Sequence, residues 1–264
     1  MSLPRPLPIA LCAALFVACS TSTNKPGPPP ECPSCQSATT IGGVESSGGG
    51  VGGGSNGTGG EGQGGGETAT VSGNVVVINS PAFDTAAAYA KAAVVYGEDP
   101  SGKELSQPYN GTSFSIDGVA TGDTWFLVEP NDTTDTAFPT YSLQRVADDK
   151  LTLPLLDEQV LSEIALDAGV TLSSSQAQVV IRVTDSKNNP LEGITAASAG
   201  AGLILYDFGP ASYSVQNKAT ADRGMIVILN QTSASITLTD TAAHVYHVDV
   251  RAEAGSATFL DLTL

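Results

Sequence analysis

A run of glycine and small polar residues limits which part of this chain can fold. The run is GGVESSGGGVGGGSNGTGGEGQGGGE, from Gly42 to Glu67, and a proline-rich stretch, STSTNKPGPPPECPSCQSATT, precedes it. Such residues bury too little apolar surface to offset the loss of chain entropy. Glycine-rich chains are flexible coils, whereas proline-rich chains are stiff and extended. We therefore predict a disordered Pro/Gly-rich tether over residues 19–69, with a folded body after it.

The N-terminus has the pattern of an export signal. One cation precedes an apolar run over residues 9–18, which is too short to span a bilayer. The run ends in LFVAC, and small or apolar residues directly before a cysteine resemble the lipobox of bacterial lipoproteins, although Phe16 stands where Leu is usual. The resemblance implies a signal peptide over residues 1–18, an acylated Cys19 and, with Ser20 in second place, the outer membrane. Ordinary signal cleavage and secretion is the alternative.

The charge of the chain limits which classes of partner it can bind. The formal net charge is −16, from 11 Lys and Arg against 27 Asp and Glu. This balance repels phosphate backbones and anionic lipid surfaces, so no nucleic-acid partner is expected. The expected partners are the membrane, through the N-terminal lipid, and an envelope protein or glycan. No later segment is apolar over 18 residues, so the sequence predicts no transmembrane helix.

Two cysteines of the tether form a C-x-x-C pair, Cys32 and Cys35. A redox role would need a βαβ setting and a helix N-terminus that lowers the thiol pKa. A zinc site would need two further ligands, for which the chain offers only His244 and His247. Exported thiols tend to oxidise, so a local disulfide is the prediction. No cofactor is expected.

After Thr70 the sequence changes to short, β-branched runs that are separated by turn residues. In TVSGNVVVIN, Val71, Gly73, Val75 and Val77 fall on one face of a strand. Further runs such as KAAVVYG, TWFLV, RGMIVILN and SATFLDLTL recur at regular intervals. This rhythm predicts a mainly β protein built of β-sandwich units rather than an α/β fold.

One segment, LPLLDEQVLSEIALDAG, has apolar residues at helical spacing instead. Asp157 can cap the start of a helix there, and Gly169 suits the position after its end. A short helix of about eleven residues is therefore expected to join or cover two β units. The predicted organisation is a first unit at 70–147, a linker with the helix at 148–175 and a second unit at 176–264.

Two stretches carry a family resemblance. VVIRVTDSKNNPLEGITA turns through a D-x-x-x-x-P-L-x-G pattern, and FSIDGVATGDTWFLVEP contains a G-V-x-x-G turn before an aromatic-rich strand. Both resemble carboxypeptidase-regulatory-like (transthyretin-like) β-sandwich domains. The resemblance implies Ig-like or transthyretin-like sandwiches that act as non-catalytic appendages, and it carries over no active-site residue. It favours a membrane-anchored binding, adhesion or spacer module. The alternative is an envelope hydrolase with a cryptic active site.

The segment EPNDTTDTAFP is the first candidate for a ligand site. It gathers oxygen-bearing side chains that suit calcium: Glu129, Asn131, Asp132 and Asp135. It lacks the glycine and the terminal glutamate of an EF-hand, and a water-exposed Asx-rich turn explains the same residues. The turn DSKNNPLEG is the next candidate.

Other chemistry-bearing residues have simpler explanations. His247, Asp249 and Arg251 share one face of a strand, and a polar outer face accounts for them better than a metal site does. Trp125, the one tryptophan of the chain, is predicted to belong to the core. No catalytic or metal-binding residue is assigned.

Overall fold

The computed structural model describes residues 66–131, 135–147, 150–200, 202–209 and 211–264. Cys19, Cys32, Cys35 and Asp132 lie outside the described residues. Within them the chain is mainly β with one α-helix, which confirms the predicted fold class. In this described part, no helix is long and apolar enough to cross a membrane.

The elements of the described residues follow in chain order. Before the helix come β1 (Thr68–Ile78), β2 (Ala86–Ala88), β3 (Ala93–Glu98), β4 (Glu104–Tyr109), β5 (Phe114–Ala120), β6 (Gly122–Pro130), β7 (Ala137–Phe138), β8 (Thr140–Val146) and β9 (Lys150–Asp157). The helix α1 spans Glu158–Asp167. After it come β10 (Ala177–Thr184), β11 (Thr195–Ser198), β12 (Leu203–Asp207), β13 (Tyr213–Ser214), β14 (Met225–Gln231), β15 (Ser235–Thr239), β16 (Val245–Asp249) and β17 (Ala257–Thr263).

These strands form three sheets among the described residues. The largest has nine strands in the order β13-β12-β14-β10-β17-β8-β6-β3-β4. A five-stranded sheet has the order β2-β1-β9-β7, with β5 also paired to β1, and a three-stranded sheet has the order β11-β15-β16. The last strand, β17, pairs in parallel with β10 on one side and with β8 on the other. Strands from both sides of the helix therefore share the nine-stranded sheet.

The first core lies between the five-stranded sheet and strands β3 and β6 of the nine-stranded sheet. Val71 and Val75 are fully buried on one face of β1, as their alternation predicts. Gly73 shares that face, and a Cβ there would overlap the carbonyl oxygen of Leu151 on the parallel strand β9. Glycine therefore allows the two strand backbones to approach closely.

Strands β10 and β14 are covered on both faces, which explains their continuous apolar sequences. A second core packs one face against the helix, through residues such as Leu161. A third core packs the other face against the three-stranded sheet, through Ile236 and Leu238. Strand β17 contributes Phe259 to the second core and Leu260 to the third, as alternating side chains must.

The predicted helix is confirmed together with both of its end signals. Asp157 has an extended backbone, and its carboxylate accepts a hydrogen bond from the backbone N–H of Gln159 at 2.9 Å. After the helix, Gly169 has a φ of +72°, in the left-handed region that glycine tolerates. The buried helical residues are Val160, Leu161, Ile164 and Ala165.

Candidate functional site

The outer face of strands β3, β6 and β8 carries three aromatic side chains. Strand alternation points Phe126 into the first core and its neighbour Trp125 to the opposite face. In the strand register, Leu127 lies opposite Tyr96 on β3 and opposite Tyr141 on β8. Aromatic and aliphatic groups therefore alternate across this face, and they are half-buried.

A cleft of about 500 Å³ opens beside Trp125, and we call it the Trp125 cleft. Its lining residues come from β6 and from the segments around β15 and β16: Trp125, Thr232, Ala234, Asp249, Val250, Arg251, Ala252 and Glu253. Residues that are far apart in the sequence thus build one concave surface. Its volume falls within the range of about 300–1,000 Å³ that is typical of small-ligand sites.

Arg251 is the cation of this cleft. Its guanidinium carbon lies 5.4 Å from the centre of the Trp125 ring, and its Nη2 lies 2.7 Å from Oε1 of Glu98 on β3. A cation over an indole face is attracted by the negative face of the ring. The Arg251 carbonyl accepts a hydrogen bond from the Thr258 hydroxyl at 2.5 Å, while the adjacent Val250 is buried and its N–H donates to Ala234. These contacts fix the backbone from which Arg251 extends.

Each tyrosine of the outer face lies near a carboxylate. The Tyr96 hydroxyl donates to Glu129 at 3.0 Å, and the Tyr141 hydroxyl lies close enough to Glu253 for that carboxylate to raise the pKa of Tyr141. Burial, followed by the hydrogen bond to Glu129, raises the pKa of Tyr96 above its ordinary value. Burial, followed by the nearby Glu253 carboxylate, raises the pKa of Tyr141 strongly. The Tyr96 hydroxyl thus acts as a donor that orients Glu129.

The predicted calcium ligands that the structure describes each contact a different partner. Glu129 accepts from Tyr96, whereas the buried Asp135 carboxylate accepts from the Tyr89 hydroxyl and pairs with Lys91 at 3.3 Å. Asn131 donates its backbone N–H to Ala92. Among the described residues, no group of three His, Cys, Asp or Glu side chains could hold a metal ion. The calcium site stays a prediction, and a cation at Asp135 would compete with a lysine.

The prediction that Trp125 belongs to the core holds for only part of its ring. The ring packs against the third core, and the same side chain also lines the cleft. Asp249 and Arg251, which are predicted to share a strand face with His247, both line the cleft. His247 lies beside Thr237, at 3.5 Å, and the exposed His244 pairs with Asp240 at 2.8 Å.

The turn DSKNNPLEG, the second predicted ligand site, is held by its own first residue. The Asp185 carboxylate accepts from the backbone N–H groups of Lys187 and Asn189, both at 2.8 Å. Asn188 has a φ of +68°, a conformation that Asn tolerates better than most residues. The side chain that could bind a ligand thus stabilises the turn.

Comparisons with known proteins give similar chains only among solved structures. No family model matches, and no curated protein matches in sequence. A streptococcal ancillary pilin is 11% identical over 74% of this chain and 68% of its own length, with a TM-score of 0.23. A shaft pilin of Lactobacillus rhamnosus GG is 10% identical over 75% and 98%, with a TM-score of 0.20. A tip fimbrial protein of Porphyromonas gingivalis is 9% identical over 69% and 81%, with a TM-score of 0.23.

These TM-scores are too low to transfer a fold or a role from those proteins. The class that the sheets themselves define is a mainly β protein with layered, sandwich-like sheets and a single helix in its described part. The Trp125 cleft is a concave surface of about 500 Å³ among the described residues. The function is therefore argued from that cleft.

Proposed function

We propose that this chain is a non-catalytic binding module of the bacterial cell envelope. Lipid on Cys19 anchors it to the membrane, with the outer membrane favoured by Ser20, and residues 19–69 act as a spacer. The support for the anchor is the LFVAC motif, and the support for the spacer is its glycine and proline content. The module binds its ligand in the Trp125 cleft.

The observation that carries the binding role is the way the cleft is preorganised. Trp125 projects from an interior strand of the nine-stranded sheet, and Arg251 is held between that ring and Glu98. Glu253 lies close to the Tyr141 hydroxyl. Polar groups that are already fixed in position lose little conformational freedom when a ligand arrives, so more of the contact energy appears as affinity. This preorganisation supports the proposed binding role.

Retention on isolated cell envelopes tests the proposal. We expect Arg251→Ala to weaken retention of the full-length protein by about tenfold or more, since hydrogen bonds to charged groups contribute about 1.5–3 kcal/mol. Arg182→Ala is the matched control. Like Arg251, Arg182 pairs with a carboxylate, that of Asp261 at 2.8 Å, but Arg182 does not line the cleft. The Cys19→Ala background removes any contribution of the lipid to retention. Equal retention of both arginine variants would contradict the proposed site.

A further inference from the structure

We infer that the ligand of the Trp125 cleft is a neutral saccharide. The inference rests on the proposed function, because it names the class of ligand for the same cleft. It follows from three properties of the cleft walls: their mixed charge, their paired donors and acceptors, and the aromatic face beside them.

The charges of the walls disfavour an anionic ligand. Asp249 and Glu253 would repel it, as would the net charge of −16. Arg251 lines the same cleft, but it is paired with Glu98 and is outnumbered by the carboxylates, so a cationic ligand is the competing class that the test below includes. A wholly apolar ligand would cover these charged groups without offering hydrogen bonds, at a large desolvation cost. A neutral ligand that is rich in hydrogen-bonding groups avoids both the repulsion of an anion and the desolvation cost of an apolar ligand.

The donors and acceptors of the cleft suit hydroxyl groups. A guanidinium only donates and an ionised carboxylate only accepts, whereas a hydroxyl does both. Neighbouring hydroxyls on one ring can therefore donate to Asp249 or Glu253 and accept from Arg251. A saccharide carries such hydroxyls on adjacent carbons, in fixed relative positions.

The aromatic face supplies the remaining complement. A sugar ring has an apolar face of C–H groups, which can pack against the part of the half-buried Trp125 ring that is exposed beside Arg251. Trp125 lines the cleft, and a second depression beside it, of only about 30 Å³, is lined by Tyr96, Tyr141 and Leu127. That depression is too small for a second sugar unit, so the proposed contact is with the sugar ring that lies beside Trp125.

Titration of the full-length protein with defined probes tests this inference. Trp125 is the only tryptophan of the chain, so its fluorescence reports directly on the cleft. The neutral probes are cellobiose, maltose, lactose and N,N′-diacetylchitobiose, up to about 10 mM, at which a site with a Kd of about 1 mM is mostly filled. Tetralysine and citrate serve as the cationic and anionic probes. We expect at least one disaccharide to shift the Trp125 emission, and neither ion to do so.

Variants show whether the shift comes from the cleft. We expect Arg251→Ala to weaken saccharide binding by about tenfold and Arg182→Ala to leave it unchanged. Arg251→Lys keeps the charge but loses the planar fork, so its affinity should fall between wild type and Arg251→Ala. It also guards against a folding defect in the alanine variant, and the melting temperature of each variant is measured in parallel. Saccharide binding that both alanine variants retain would overturn the inference.

The remaining outcomes separate this inference from the proposed function. If tetralysine binds with a dependence on Arg251 and no saccharide does, the ligand class is wrong while the cleft remains the binding site. If no probe binds but Arg251→Ala still loses retention on envelopes, the saccharide inference fails and the proposed function stands. If no probe binds and Arg251→Ala is retained like wild type, both fail.

Discussion

Replacement of Asp207 tests whether one buried carboxylate holds the long connection between β13 and β14. Asp207 ends β12 and is 0% exposed. Its oxygens accept from the backbone N–H groups of Ala221 at 2.8 Å, Arg223 at 2.9 Å and Met225 at 3.4 Å. A connection without regular structure must satisfy its backbone groups in some other way, and here a single side chain satisfies three of them.

The expected loss follows from the number of bonds. A hydrogen bond to a charged group contributes about 1.5–3 kcal/mol, and an unsatisfied buried donor costs a similar amount. Two of the three bonds are short, so Asp207→Ala should lower the free energy of unfolding by about 4 kcal/mol. Asp207→Asn keeps one oxygen but turns an amide donor toward a backbone donor, so about 2 kcal/mol is expected. In a body of this size, each kcal/mol corresponds to about 2–4 °C in Tm.

Urea unfolding followed by circular dichroism measures these losses. Asp185 provides the control, because its carboxylate also accepts from two backbone N–H groups, but in an exposed turn where water can replace it. Asp185→Ala should therefore cost clearly less than Asp207→Ala. Equal losses for the two alanine variants, or a loss below about 1 kcal/mol for Asp207→Ala, would refute this reasoning.

Three further predictions concern the anchor, the tether and acid stability. Cys19→Ala should move the protein from the membrane fraction to the soluble fraction, and a variant that fractionates like wild type would refute lipidation. Limited proteolysis should leave a resistant body that starts near Thr70, because the preceding composition cannot bury a core; mass spectrometry of stable fragments that retain Cys32 would contradict this. Hydrogen bonds, above all that from Asn189, lower the pKa of Asp185 below 3.8. The stability that Asp185 adds is therefore complete above about pH 4 and is lost as the pH falls through its lower folded-state pKa, so Asp185→Asn should flatten the decline in urea stability between about pH 4 and pH 2.

Local signals in the sequence predict the parts of the fold that depend on neighbouring residues. The helix follows from Asp157 at its start, Gly169 after its end and apolar spacing between them, and all three are observed. The alternation in β1 places Val71 and Val75 in the core for the same reason: the strand period fixes which side chains share a face. These features need no knowledge of which other strand lies alongside.

The order of strands in the largest sheet could not be predicted in this way. The last strand, β17, joins β10 to β8, and the segments it pairs are far from it in the sequence. Its apolar residues Phe259 and Leu260 indicate a strand that is covered on both faces, but they fit many neighbours equally well. This pairing places strands from before and after the helix in one sheet. The two β units that the sequence predicts therefore share the nine-stranded sheet.

The Trp125 cleft could not be predicted from the sequence either, although the proposed function depends on its residues. In WFLV every residue is apolar, so the sequence does not indicate which face a neighbouring sheet covers. The third core joins the three-stranded sheet to β10, β14 and β17, and Trp125 packs only at its margin. Arg251 follows β16, a strand of that covering sheet, and its guanidinium lies over the Trp125 ring. If the three-stranded sheet covered Trp125 fully, Trp125 would be a core residue. Because it covers Trp125 only in part, the ring lies beside Arg251, Asp249 and Glu253, where it can contact a ligand.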